Sequence, residues 1–130
     1  MSNYTENYIQ VDGAVADIAN IKKVFTELLE STEIELLCDN EWSDDDTSLC
    51  LSNIFSRASL SDFFSNHCSS CDYAELLWWN DQQECEQIIM KKGTIVQRRY
   101  DEFTSIDDIP KYLSDWFCAI PLTLGWVDEI

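Results

Sequence analysis

The chain predicts an α+β fold: a mostly antiparallel sheet with helices packed on one face. Three observations carry that expectation. Short stretches alternate apolar and polar residues, and they are interleaved with longer stretches of helical period. Apolar residues make up 45% of 130 residues, including five Trp, six Phe and five Tyr, which is too much for a disordered acidic tail. Only three Gly and two Pro are present, which leaves little room for long linkers, so one domain over 1–130 is expected.

Residues 7–12 read as a strand with Ile9 and Val11 on one face, and Asp12-Gly13 turns the chain. Ile18, Ile21, Phe25, Leu28 and Leu29 recur at helical spacing, so residues 14–30 form the first helix. Ile34, Leu36 and Cys38 alternate with their neighbours as a second strand. Residues 39–48 are polar and acidic and read as a loop, and 49–55 as a short strand. Leu60, Phe63, Phe64, His67, Cys68 and Cys71 form one helical stripe, with Ser59 and Asp62 suited to its N-cap. Residues 73–79 read as a buried strand, followed by 86–91, a Lys92-Gly93 turn and 94–100, which makes a three-strand meander. Ser105 and Asp108 cap a last helix with the stripe Ile106, Ile109, Leu113, Trp116, Phe117 and Ile120, and Pro121 ends it. A β-α-β order followed by α-β-β-β-α resembles a split β-α-β arrangement.

The opening Met1-Ser2-Asn3-Tyr4-Thr5-Glu6-Asn7, then an alternating strand, then Gly13 and a helix, resembles the start of YubB-type ferredoxin-like proteins. The segment 60–103, helix then meander, is similar to their later part. Ser2, Tyr4 and Thr5 stand where that family has proline, tryptophan and cysteine, and its central Trp-Gly-Thr-Lys-Trp segment has no counterpart here. The resemblance implies a ferredoxin-like fold from a plasmid or phage setting. That family has no well-defined catalytic residues, so none is carried over.

Charge is the chain's most unusual property. Twenty-five Asp and Glu face eight Lys and Arg, a formal net charge of -17. From Val24 to Met90 there are fifteen acids and one base, Arg57. Solubility asks for a net charge of only about 2 to 8 in a small domain. Self-repulsion opposes compaction, so a larger excess points to a basic partner. Glu33, Glu35, Asp39, Glu41, Asp44, Asp45 and Asp46 run together, with Trp42 among them. Alternate residues of a strand project one way about 6.7 Å apart. One DNA strand advances about 3.4 Å per phosphate, so such a row samples every second phosphate. These eight residues are the expected partner-binding set, with Trp42 as its anchor.

Other chemistry finds less support. One Cys-x2-Cys pair, Cys68 and Cys71, lies on an apolar stripe, where free cysteine packs as a small hydrophobe. A zinc site, with Cys85 as a further ligand, would need a second pair of ligands. A calcium loop over 39–50 requires glycine at its sixth position and glutamate at its twelfth, and has Asp44 and Cys50. With glycine only at 13, 93 and 125 and one histidine, His67, neither a phosphate-cradling loop nor a triad is legible. Lys91, Lys92, Arg98 and Arg99 hold half of all basic residues and read as guards of an exposed strand edge. The N-terminus lacks a basic secretory region, which makes the cytoplasm the expected compartment.

The expectation is therefore a non-catalytic acidic interaction protein, with no cofactor and no metal. It would be a phage- or plasmid-encoded inhibitor, anti-CRISPR or anti-restriction, that mimics DNA. Its partner would be a basic nucleic-acid-binding host protein, and it would bind neither nucleic acid nor membrane directly. The alternatives are an immunity protein against a basic nuclease toxin and a zinc-binding module.

Overall fold

The computed structural model describes residues 5–31, 34–36, 42–56, 59–80 and 82–104. The last helix expected from the sequence, over 105–120, lies outside the described residues.

The described chain is α+β. Its elements are β1 (Thr5–Asp12), α1 (Val15–Glu30), β2 (Ile34–Leu36), β3 (Trp42–Asp45), β4 (Ser48–Ser56), α2 (Ser61–His67), β5 (Tyr73–Asn80), β6 (Glu84–Lys91) and β7 (Thr94–Glu102). All seven strands join one sheet in the order β2-β4-β1-β5-β6-β7, and β3 also pairs with β4. Every pairing is antiparallel. The two short strands share one edge of β4: Leu36 lies opposite Ile54, and Trp42 lies opposite Leu51.

The helical stripe read from the sequence is the buried face of α1, through Ile18, Ile21 and Phe25. These side chains meet Ile9 and Val11 of β1, Leu49 and Leu51 of β4, Ala74, Leu76 and Trp78 of β5, and Ile88 and Met90 of β6. Phe63 and Phe64 of α2 join the same core, and the Phe63 ring meets Phe25 edge-on with centroids 6.0 Å apart. Both described helices therefore cover one face of the sheet. Each fully buried side chain of this size contributes roughly 1.5–3 kcal/mol. The opposite face is buried too at Tyr8, Leu77, Trp79 and Cys85.

Helix α2 ends earlier than its stripe suggests. Cys68 is its C-cap, and its backbone N–H donates to the Phe64 carbonyl. Ser69 and Ser70 then turn, and Cys71 N donates to the Cys68 carbonyl at 3.2 Å. This turn, not a further helical turn, brings Cys71 back into the core. Ser59 does not cap the helix. Its hydroxyl lies 3.0 Å from that of Ser61, and the Leu60 backbone N–H is held instead by Asn7 Oδ1 at 3.0 Å. Asn7 is wholly buried, and its amide Nδ2 also donates to the carbonyls of Thr5 and Ile54 and to Ser56 Oγ. One side chain thus pins β1, β4 and the start of α2 where the β1–β4 register shifts, between Asn7 and Ile9.

The β6–β7 turn follows the sequence reading. Lys91 pairs with Thr94, and Lys92 and Gly93 between them both have positive φ, 51° and 83°. That is the two-residue turn whose twist matches the flanking strands.

Candidate functional site

Of the eight residues expected to bind a partner, Glu35, Trp42, Asp44 and Asp45 lie on strands along one edge of the sheet. Glu35 sits on β2 opposite Phe55. Trp42, Asp44 and Asp45 sit on β3 opposite Leu51, Leu49 and Ser48. Asp46 follows in the exposed turn to β4. Glu33, Asp39 and Glu41 lie outside the described residues. The loop expected over 39–48 is corrected for 42–45, which is strand. Polar composition alone suggests a loop there, but the free edge of β4 supplies backbone partners that turn the acidic run into a strand.

Asp45 differs from its neighbours. Its Oδ1 accepts from Thr47 N at 2.8 Å, Thr47 Oγ1 at 3.2 Å and Ser48 Oγ at 3.0 Å. These bonds favour the ionised form, the Thr47 amide most, and hold the carboxyl below its ordinary range. Asp45 thus shapes the hairpin turn as an Asx-type residue. Gly13 N donates to the Thr47 carbonyl at 2.9 Å, so the turn is also tied to the β1–α1 junction. The acidic tip is held by these bonds and its charge is exposed.

Not all of the acid excess is surface charge. Glu6, Glu75 and Glu86 are buried. On the helix-bearing face, Glu86 accepts from Trp78 Nε1 at 3.0 Å and from Arg98 Nε at 2.7 Å. On the opposite face, Glu75 accepts from Gln87 Nε2 at 2.7 Å and from the Tyr73 hydroxyl at 3.2 Å. Glu6 accepts from Trp79 Nε1 at 2.9 Å. Burial pushes the Glu6 carboxyl up to about 7, against the smaller opposing effect of the Trp79 bond. Burial likewise pushes Tyr73 up to about 12, helped by the nearby Glu75 charge. In the sequence these glutamates count only within the acid excess, with no place in the core assigned to them. For Glu75 the available signal was its setting, a lone carboxylate inside the otherwise uncharged run Tyr73-Ala-Glu-Leu-Leu-Trp-Trp79.

Cys68 and Cys71 belong to the hydrophobic core, and Cys85 is buried with its Sγ 3.5 Å from the Asp101 carbonyl. Burial pushes the Cys71 thiol up to about 11, with Asp17, Asp72 and Asp12 adding to the rise, and pushes Cys68 higher still. Thiols so disposed carry little thiolate near neutrality. Among the described residues no three His, Cys, Asp or Glu side chains are grouped to hold a metal ion. No helix among them is long and apolar enough to cross a membrane.

No family model, curated protein or solved structure matches the chain. Its functional reading rests on its own residues.

Proposed function

We propose that this chain is a non-catalytic acidic inhibitor that occupies the basic nucleic-acid-binding surface of a partner protein by imitating the charge of DNA. It is the kind of factor a phage or plasmid sets against a host defence complex, anti-CRISPR or anti-restriction in type. The observation that carries this reading is the placement of Glu35 of β2 and of Asp44 and Asp45 of β3 along one edge of the sheet, with Asp45 and Asp46 exposed at its end. Competition follows from electrostatics. A concentrated negative edge speeds encounter with a basic groove, and aromatic contacts such as Trp42 slow departure.

The supporting frame reads as a ferredoxin-like unit with an extension. In favour of this, β1 lies between β4 and β5, with the edge strands β2 and β3 beyond β4, and α1 and α2 are the two connecting helices. Strands β6 and β7 continue the sheet past β5. The resemblance of the N-terminal segment to YubB-type proteins agrees with such a frame.

The test is capture from a nuclease-treated bacterial lysate on immobilised protein, eluted with a mixed-sequence DNA duplex. The expected result is retained nucleic-acid-binding proteins that the duplex displaces. Retained proteins that resist the duplex, or no retained proteins, would contradict the proposal.

A further inference from the structure

Strand β7 is the opposite edge of the sheet from the acidic segments, and among the described residues no strand pairs with its outer side. It is nine residues long and exposed at every position but Gln97. Its large side chains include Ile95, Val96 and Tyr100, 49%, 53% and 50% exposed. A long exposed edge is a ready template for another strand, and proteins usually blunt such edges with charge. Here the charge has a pattern. Arg98 and Arg99 precede Tyr100, and Asp101 and Glu102 follow it.

We propose that β7 is a self-association surface: two copies pair their β7 strands antiparallel about a two-fold axis at Tyr100, so that the two sheets join edge to edge. The register follows from symmetry. A two-fold axis perpendicular to the sheet keeps each residue on its own face, so the axis must pass through a residue and not between two. An axis at Arg98, Arg99, Asp101 or Glu102 sets like charges directly opposite each other, which destabilises a pair. An axis at Gln97 or earlier leaves both arginines without a carboxylate opposite them. Only the axis at Tyr100 sets Arg98 opposite Glu102 and Arg99 opposite Asp101, each twice, with the two Tyr100 rings face to face across the axis.

The surrounding geometry suits this pairing. Arg98, Tyr100 and Glu102 lie opposite Ile88, Glu86 and Glu84 of β6 and so share the helix-bearing face. Tyr100 is held upright there, its ring 6.5 Å from that of Trp78 and its hydroxyl donating to Glu84 at 2.7 Å. Arg98 gives Nε to Glu86, and a guanidinium carries five N–H donors. The edge is locally neutral in a chain of net charge -17, so it is a place where two copies can meet without the repulsion of their acidic edges. The strand contact is short and falls below the roughly 1,200 Å² of a standard interface, so the dimer forms and dissociates with concentration.

Sedimentation equilibrium over about two decades of micromolar concentration tests this. The wild-type chain is expected to follow a monomer–dimer equilibrium. A copy carrying Arg98→Glu with Arg99→Glu, and a copy carrying Asp101→Lys with Glu102→Lys, should each self-associate at least about tenfold more weakly. Mixed together they should dimerise, because every opposed pair is again complementary. A wild-type chain that stays monomeric, charge variants that dimerise alone as the wild type does, or folded variants that fail to pair on mixing would each overturn the proposal. If either charge variant unfolds, Tyr100→Cys decides alone. Opposed residues lie about 4.5–5.5 Å apart at Cα, within disulfide reach. Mild oxidation should link position 100 to position 100, and dimers linked only through other cysteines would refute the register.

Discussion

Replacing Glu6 with glutamine should stabilise the protein, and the gain should depend on pH. Glu6 is a 7% exposed carboxyl whose described partner is a neutral indole, Trp79 Nε1 at 2.9 Å. Its pKa rises from 4.5 to about 7 because burial disfavours the charged form. The sign follows from proton uptake. Between these two values the folded state binds a proton that the unfolded state has released, so folding is favoured as pH falls. The contribution is fully present below about 4.5 and is lost as pH rises through about 7. At 1.36 kcal/mol per unit, the charged form in the folded state costs about 3 kcal/mol above pH 8. Glutamine keeps an oxygen that accepts from Trp79 and carries no charge. Urea unfolding of both proteins from pH 5 to 8.5 isolates this group, because every other titration cancels in the difference. Glu6→Gln should exceed the wild type by up to about 3 kcal/mol at pH 8.5, the gap narrowing to within about 1 kcal/mol near pH 5. A difference that stays flat across that range, or a glutamine variant weaker at high pH, would refute a carboxyl whose ionisation burial opposes.

Asn7→Ala removes four hydrogen bonds and leaves the Leu60 amide and the Ile54 carbonyl without their Asn7 partner, so denaturant unfolding should show a loss of about 2–4 kcal/mol. Gly93→Ala places a Cβ 3.1 Å from the Ser69 carbonyl at a φ of +83°, and should lower stability by about 1 kcal/mol or more in the same assay. Asp45→Ala should lower the melting temperature by loosening its turn, while Asp46→Asn leaves it unchanged, as calorimetry can check. Asp44→Asn with Asp46→Asn should slow association with a captured partner, whereas Asp62→Asn with Asp72→Asn, an equal charge change away from that edge, should not. Equal losses from both pairs would mean that net charge matters and no particular edge does.

The parts of this fold legible in the sequence are those where local chemistry and tertiary context agree. Ile18, Ile21 and Phe25 keep helical spacing and face the core, and Lys92-Gly93 turns as such a pair should. The readings diverge where context decides. Residues 42–45 look like a loop because acidic residues are poor strand formers, yet β4 recruits them through its backbone. The stripe ending at Cys71 mixes true helix with a turn that refolds onto the same core. The acidic edge was legible as a cluster of residues, while its division between β2 and β3 depends on strand pairing that no local pattern encodes. Glu6, Glu75 and Glu86 were hidden for a related reason. A count of charges treats every carboxylate as solvated, and only the sheet register brings Trp79, Gln87 and Arg98 to these three.

The claim that the acidic edge imitates nucleic acid is tested most directly by the association rate with a captured partner as ionic strength rises from about 0.05 to 0.5 M, where the screening length falls severalfold. The account expects association to slow steeply across that range, and Asp44→Asn with Asp46→Asn to flatten the dependence. An association rate that barely responds to salt, or a slope that the paired substitution leaves unchanged, would contradict it.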